Sequence, residues 1–337
     1  MNVIRIEPFQ TPSAFDRLAK EWNALLRRSA MDTVFLTPAY QRTWWRHLGQ
    51  GDLLILVARE DGELVGLAPL FAVGREEQRT LQTVGCVEVS DYLDWVLAPG
   101  REEEVLAALL DFLGASLSWS ALDLCNVHRD SPTLALLPAL ASRHRWSVRT
   151  EVQEVCPVVD LPGTWEAYLA SLGRKDRHEL RRKMRRAEAM EDLRWYIVGP
   201  EHDLEAEVEA FLHLMAVSTP EKAAFLTPPM RAFFHELAQV AYGAGWLQLA
   251  FLEVEERRLA AYFNFVYDNR VLVYNSGLDW EAYPNLGAGI VLTGFLIRQA
   301  IAEGREAYDF LRGSEPYKYR LGGKDVTVHR ILIERDG

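Results

Sequence analysis

The chain has 337 residues, about twice the ~100–200 of one domain, which predicts two domains. An apolar share of 49% and a charged share of 25% are ordinary globular values and exclude wholesale disorder and low-complexity scaffolds. Lys and Arg number 37 against 48 Asp and Glu, a net charge of −11, which disfavours general binding to nucleic acid or anionic membrane.

The chain opens with MNVIRIEPFQTP, which has no basic stretch leading into an apolar segment, so no signal peptide is expected. No run approaches the ~18 uncharged apolar residues of a membrane span. Thr37-Pro38 starts a helix on which Tyr40 and Trp44 stand four apart, read as core packing. Residues 53–71 (LLILVAREDGELVGLAPLF) read as a strand, a charged turn and a strand. A helix-length apolar segment at 103–117, a strand at 121–127 and a strand-like stretch at 146–160 follow. Cys86, Cys125 and Cys156 are far apart, odd in number and without a CxxC pair. That pattern predicts a reducing, cytoplasmic setting, with neither a zinc site nor a disulfide framework.

The second half repeats this order. Residues 248–266 align without a gap on 53–71, and 307–313 match 121–127; a helix-length apolar segment precedes each match, at 288–302 and 103–117, and each half ends in a strand-like stretch, at 325–335 and 146–160. Asp309 thereby occupies the place of Asp123. Weak identity at a fixed order of elements predicts a duplicated domain, with copies at 1–160 and 161–337.

The copies differ where a ligand would bind. In the second, the strand Arg270–Tyr274 runs through NSGLDWEAYPN into Leu286-Gly287-Ala288-Gly289 and then into a helix. Glycines there let unpaired backbone N–H groups approach a phosphate, assisted by the helix dipole; alternatively they serve only a tight turn. The first copy has Gly100-Arg101-Glu102-Glu103-Glu104 at that place, and three carboxylates would repel a phosphate.

Residues 174–186 (RKDRHELRRKMRR) hold eight basic residues against two acidic ones. Leu172, Leu180, Met184 and Ala187 could form the apolar face of this helix. The basic side reads as a solvated face or as a site for phosphates of a donor, an acyl carrier protein or tRNA, with Arg181 and Arg185 as candidate contacts. Aromatic interleaving is lacking within it, which makes RNA the least favoured. The eight histidines are dispersed, and HExxH, GxSxG, P-loop and GxGxxG motifs are absent. No metal is expected.

The strand GLAPL (66–70), the block DLPGTWEAYLASLGRKDRHELRRKMRRAE (160–188), YNSGLDWEAYPNLGAG (274–289) and YDFLRGSEPYKYRLGG (308–323) carry a resemblance to the GNAT N-acyltransferases. Within them the chain resembles the cellulose-biosynthesis (CelD-like) branch, related to the Fem aminoacyltransferases with tandem GNAT domains. The resemblance implies an α/β (α+β) fold of two tandem GNAT-like domains, each a mixed, mostly antiparallel sheet flanked by helices. It implies acetyl-CoA or another acyl-CoA as donor and a small-molecule, sugar or peptidyl amine as acceptor.

On this resemblance Leu286, Gly287, Ala288 and Gly289 cradle the donor pyrophosphate, although Pro284 stands where Gln or Arg would open the Q/RxxGxG/A loop. The strand residues Val271, Val273, Tyr274 and Asn275 supply the amide that polarises the thioester carbonyl. Tyr317 is the candidate acid for the departing thiolate, Glu315 the candidate base, and Asp309 a third catalytic candidate whose repeat partner Asp123 favours a structural role. Asp279, Lys318 and Tyr319 are candidate acceptor contacts. An acyl carrier protein or aminoacyl-tRNA as donor, and a non-catalytic binding protein on the same fold, are the alternatives.

Overall fold

A computed structural model describes residues 3–75, 78–86 and 88–335. The chain forms two compact units, one of residues 1–154 with 326–337 and one of 155–325. From the N-terminus the elements are β1 (Arg5–Phe9), α1 (Ser13–Leu26), α2 (Pro38–Leu48), β2 (Asp52–Glu60), β3 (Glu63–Val73), β4 (Thr80–Thr83) and β5 (Val96–Leu97). Next come α3 (Glu102–Ser116), β6 (Ala121–His128), α4 (Pro132–Arg143), β7 (Ser147–Asp160), α5 (Trp165–Ser171), α6 (Arg174–Glu188) and β8 (Leu193–Ile197). The remainder is α7 (Leu204–Ser218), α8 (Pro220–Phe225), α9 (Pro228–Gly243), β9 (Leu247–Val254), β10 (Arg257–Tyr267), β11 (Arg270–Leu278), α10 (Ala288–Ala302), β12 (Ala307–Asp309), α11 (Pro316–Arg320) and β13 (Lys324–Glu334).

The first unit carries strands in the order β1-β2-β3-β4-β6-β13, antiparallel except for the parallel pair β4–β6. The second carries β8-β9-β10-β11-β12-β7, antiparallel except for β11–β12. One architecture is therefore used twice, its single parallel pair joined through a helix, as parallel neighbours require. The last strand is exchanged. The end of β7 pairs with β12 in the second unit, while β13 pairs with β6 in the first.

Apolar periodicity explains the cores. In α3, Val105, Leu106, Leu109, Leu110 and Leu113 fall on one face and are buried with Leu54, Leu56 and Leu70 of the hairpin β2–β3. In α10, Val291, Leu292, Phe295, Leu296 and Ile297 are buried with Ala250, Leu252 and Tyr262. Leu180, Met184 and Ala187 form the buried face of α6, while Leu172, expected on the same face, is buried but lies before the helix in extended backbone between α5 and α6. α6 crosses α10 closely because Gly294 has no side chain: a Cβ there would lie 2.9 Å from Met184 Sδ.

The cysteine expectation needs correction, because Cys86 and Cys125 are joined in a disulfide with Cα atoms 6.2 Å apart. Their 39-residue separation hides the reason. β4 and β6 run parallel with Gln82 opposite Asp123, so the two cysteines just beyond arrive together. Cys156 is buried and takes no part in a disulfide. No helix among the described residues is long and apolar enough to cross a membrane.

Four tyrosines, Tyr168, Tyr262, Tyr308 and Tyr317, sit in the second core, and burial pushes each phenol above its ordinary value. A group raised in the folded state stabilises fully below its unfolded value and loses that contribution as pH climbs. Stability should therefore fall with rising pH above about 10. The Tyr308 hydroxyl is buried without a well-formed hydrogen bond among the described residues, only the Asn264 side chain acting on it more weakly. Tyr308→Phe should leave stability at neutral pH unchanged or raise it by up to about 1 kcal/mol, and should move the alkaline midpoint upward. Urea melts at two pH values measure both; a clear loss of stability would show that the hydroxyl is satisfied after all.

Candidate functional site

β11 and β12 part company early. They pair only at Arg270–Leu272 with Ala307–Asp309, yet β11 continues to Leu278. Beyond Leu272 the edge of β11 turned toward β12 has no strand partner among the described residues. A β-bulge lies at this divergence: Asn264 faces Val273 and Phe263 faces Asn275, which leaves Tyr274 as the extra residue.

The hydrogen-bond alternation fixes what that edge offers. Asp279 N–H donates to Leu259 O, so Gly277 and Asn275 are the residues bonded to β10. Ser276 and Leu278 turn their backbone groups away from it. Side chains meet these groups. Ser218 Oγ accepts from Leu278 N–H at 2.7 Å and donates to Leu278 O at 3.2 Å. Ser276 N–H donates to Asn275 Oδ1 at 3.0 Å. Lys222, from α8, donates from Nζ to Ser276 O and, at 3.3 Å, to Ser276 Oγ. Burial pushes the Lys222 ammonium down to about 8, with the Glu315 carboxylate pulling the other way.

The helix start after β11 is open. Gly287 caps α10 in the left-handed region, φ 68° and ψ 48°, with no side-chain cap, a conformation that costs a residue with a Cβ about 1–2 kcal/mol. Val291 N–H reaches Gly287 O at 3.1 Å, and the N–H groups of Ala288, Gly289 and Ile290 precede the first intrahelical bond. α6 leans on this loop. The ammonium of Lys183 stands 2.5 Å from where a Cβ on Gly287 would project, and Arg186 Nη1 donates to Asn285 O at 3.3 Å. The basic helix and the glycine loop, separate features along the chain, form one cationic, donor-rich corner.

The equivalent corner of the first unit is sealed. Arg101 caps α3, whose first turn holds Glu102, Glu103 and Glu104. Its guanidinium donates to Glu60 Oε1 at 2.8 Å and to Glu104 Oε2 at 2.9 Å.

The segment from Asp309 to Tyr319 separates into supporting and available groups. Asp309 is buried, and its Oδ1 accepts from Leu311 N–H at 2.8 Å, holding a turn in which Leu311 has φ 53°. Lys318 is 3% exposed. It donates to the carbonyls of Arg312 at 2.7 Å, Gly313 at 3.1 Å and Leu311 at 3.3 Å, and pairs with Glu315 Oε2 at 2.9 Å. Its ammonium is thus committed to its own loop. Tyr319 donates to Asp325 Oδ1 at 2.8 Å. Glu315 precedes α11 and is largely exposed. Tyr317 packs edge-on against Phe310, centroids 5.8 Å apart; burial raises its phenol, with Tyr262 and Glu315 adding to the effect. Tyr262 ties this cluster to the helix start, accepting from Thr293 Oγ1 at 3.0 Å and donating to Gly289 O at 3.4 Å.

The remaining candidates lie apart from this corner. Asp279 pairs with Arg257 at 2.6 Å, and its Oδ1 accepts the N–H groups of Glu281 and Ala282. Burial works to raise its carboxyl, but these partners hold it below the usual range. It borders a cleft of about 910 Å³ that also takes in His213, Ser218 and the exposed Trp280. Arg181 lines a second cleft, about 850 Å³, with Arg174, Lys175, Arg177 and Arg320. Arg185 is exposed, and its Nε donates to Arg181 O at 3.4 Å. Sequence reading passed over Lys183, Ser218, Lys222 and Tyr262. Only Lys183 left a signal, as the basic residue adjoining the buried Met184 on α6.

Residues 174–319 match the family model described as the acetyltransferase (GNAT) domain. No curated protein matches the chain. Among solved structures, FemX is similar at a TM-score of 0.67 and 13% identity, covering 96% of each chain. A tandem GNAT protein from the clavulanic acid biosynthesis pathway is similar at 0.54 and 11%, covering 99% of this chain and 100% of that one. The C-terminal domain of a putative lysylphosphatidylglycerol synthetase from Agrobacterium fabrum is similar at 0.57 and 11%, covering 97% and 93%. The fold is a Fem-like tandem GNAT fold, mixed α/β with mostly antiparallel sheets.

Proposed function

We propose that the second unit is an N-acyltransferase, taking an acyl group, acetyl in the simplest case, from a coenzyme A thioester to an amine of a small molecule, sugar or peptide. The observation that carries this reading is the convergence of Lys183 on the left-handed glycine cap of α10 and of Arg186 on Asn285 just before it, next in sequence to β11, whose edge β12 leaves uncovered beyond Leu272. Such a corner suits a pyrophosphate, because unbonded N–H groups, the helix dipole and two cations all favour negative charge. The matched acetyltransferase domain and the Fem-like tandem fold support it.

In this reading Lys183, Arg186 and the N–H groups of Ala288 and Gly289 hold the donor phosphates. The strand amides around the Tyr274 bulge polarise the thioester carbonyl. Glu315, steadied by Lys318, takes the proton of the attacking amine, and Tyr317 donates toward the departing thiolate; each such group contributes typically ~10²–10⁴-fold. Asp309 and Lys318 keep the loop in place.

Calorimetry with acetyl-CoA tests the proposal. Wild type should bind, and Gly289→Glu should not, since it sets a carboxylate at the helix start and a Cβ 3.0 Å from Leu278. Absence of binding by the wild type would sink it and favour a non-catalytic role. A donor carried on a polyanion, an acyl carrier protein or an aminoacyl-tRNA, is the second reading, favoured by the cleft that Arg174, Lys175, Arg177, Arg181 and Arg320 line on the far part of α6. Salt-sensitive binding of either carrier, lost on neutralising Arg177 and Arg181, is its signature.

A further inference from the structure

Lys222 has no part in the mechanism above, yet it reaches the strand on which that mechanism depends. Its Nζ bonds Ser276, one residue beyond Asn275, on the edge of β11 that β12 leaves uncovered. Among the described residues no carboxylate pairs with it directly: Glu315, the charged group facing it, acts at longer range and accepts its own hydrogen bond from Lys318. The amine is therefore held in place by a neutral carbonyl and a neutral hydroxyl, beside the amides assigned to the thioester carbonyl.

We infer that Lys222 is itself an acyl acceptor, a self-modification site at which the ε-amine captures the acyl group of a thioester donor lying along β11. The inference rests on the acyl-donor reading above. In the step the neutral amine attacks the carbonyl carbon. A C–N bond replaces the C–S bond, and the thiol leaves with a proton matched by the one the amine gives up. The product is a neutral amide, which abolishes the positive charge at the strand edge and removes two of the nitrogen's three donors. A half-buried amine that burial pushes down to about 8 has a larger uncharged fraction than an exposed lysine, which makes capture competitive.

The chain has six lysines: Lys20, Lys175, Lys183, Lys222, Lys318 and Lys324. Lys324, with a side chain 78% exposed, is an internal reference. The protein should be incubated with acetyl-CoA at about pH 8 and digested, and the acetyl increment at each lysine followed by mass spectrometry, with donor binding measured by calorimetry on the same preparation. Lys222 should be acetylated about tenfold or more faster than Lys324. Lys222→Arg, which keeps the charge and the bond to Ser276, should leave the remaining lysines at their slow background rate. Donor binding with Lys222 labelled no faster than Lys324 overturns this inference alone. No donor binding removes the acyltransferase reading and the inference with it.

Discussion

Replacing Lys183 by glutamate is expected to weaken acetyl-CoA binding by about 10–100-fold, or roughly 1–3 kcal/mol. A charge at a helix end contributes about 0.3–1 kcal/mol when exposed and up to ~2 when partly buried. Reversal both removes the attraction and adds repulsion. Lys183 is the partly buried case, its side chain 21% exposed. The cost to the fold is small by comparison. Lys183 pairs with Glu179 at 3.6 Å, a partner that Arg182 holds more closely at 2.8 Å. Losing a surface pair and gaining an i,i+4 repulsion amounts to a few tenths to ~1 kcal/mol. Calorimetry beside a thermal melt separates the two effects, and the defect should grow at low salt as screening weakens. Wild-type affinity in Lys183→Glu would mean that the corner at Gly287 holds no phosphate.

The architecture was legible because periodicity reports burial, and burial defines these elements. The repeated stretches 53–71 and 248–266 fall on the hairpins β2–β3 and β9–β10, and 103–117 and 288–302 fall on α3 and α10. The exchange of the final strands was not legible, since β7 and β13 have equivalent patterns and either could close either sheet. Within the site, a glycine pair before an apolar helix could be read directly. Lys183 and Lys222 could not. The first comes to the loop through the rotation of α6 about its apolar face, the second through the path of α7 and α8 across β11. Lys318 illustrates the opposite difficulty. A lysine in a polar loop looks like a ligand contact, and only the fold brings three carbonyls of that loop onto its ammonium. The disulfide is similar, fixed by the register of two parallel strands rather than by cysteine spacing.

Tyr317→Phe is expected to lower kcat about 100-fold with donor affinity unchanged, near the lower end of what an acid–base group contributes. The magnitude follows from proton affinities. A departing thiol has an ordinary pKa near 8.5 and a tyrosine near 10, and burial lifts the Tyr317 phenol further. Complete transfer from phenol to thiolate is therefore uphill by at least about 2 kcal/mol. Tyr317 serves better as a hydrogen-bond donor to the developing charge on sulfur, the proton being completed by the one released from the acceptor amine. Two consequences separate this role from mere packing. Donor binding should survive, because the ring that meets Phe310 is retained. The alkaline limb of kcat should not shift in the variant, because a raised phenol stays protonated below about pH 10. Tyr319→Phe is the comparison, since its hydroxyl already donates to Asp325, and its effect should stay within about threefold. Equal kcat in Tyr317→Phe and wild type, with a verified acceptor, would exclude this hydroxyl from the chemistry and leave the thiolate to be protonated by water.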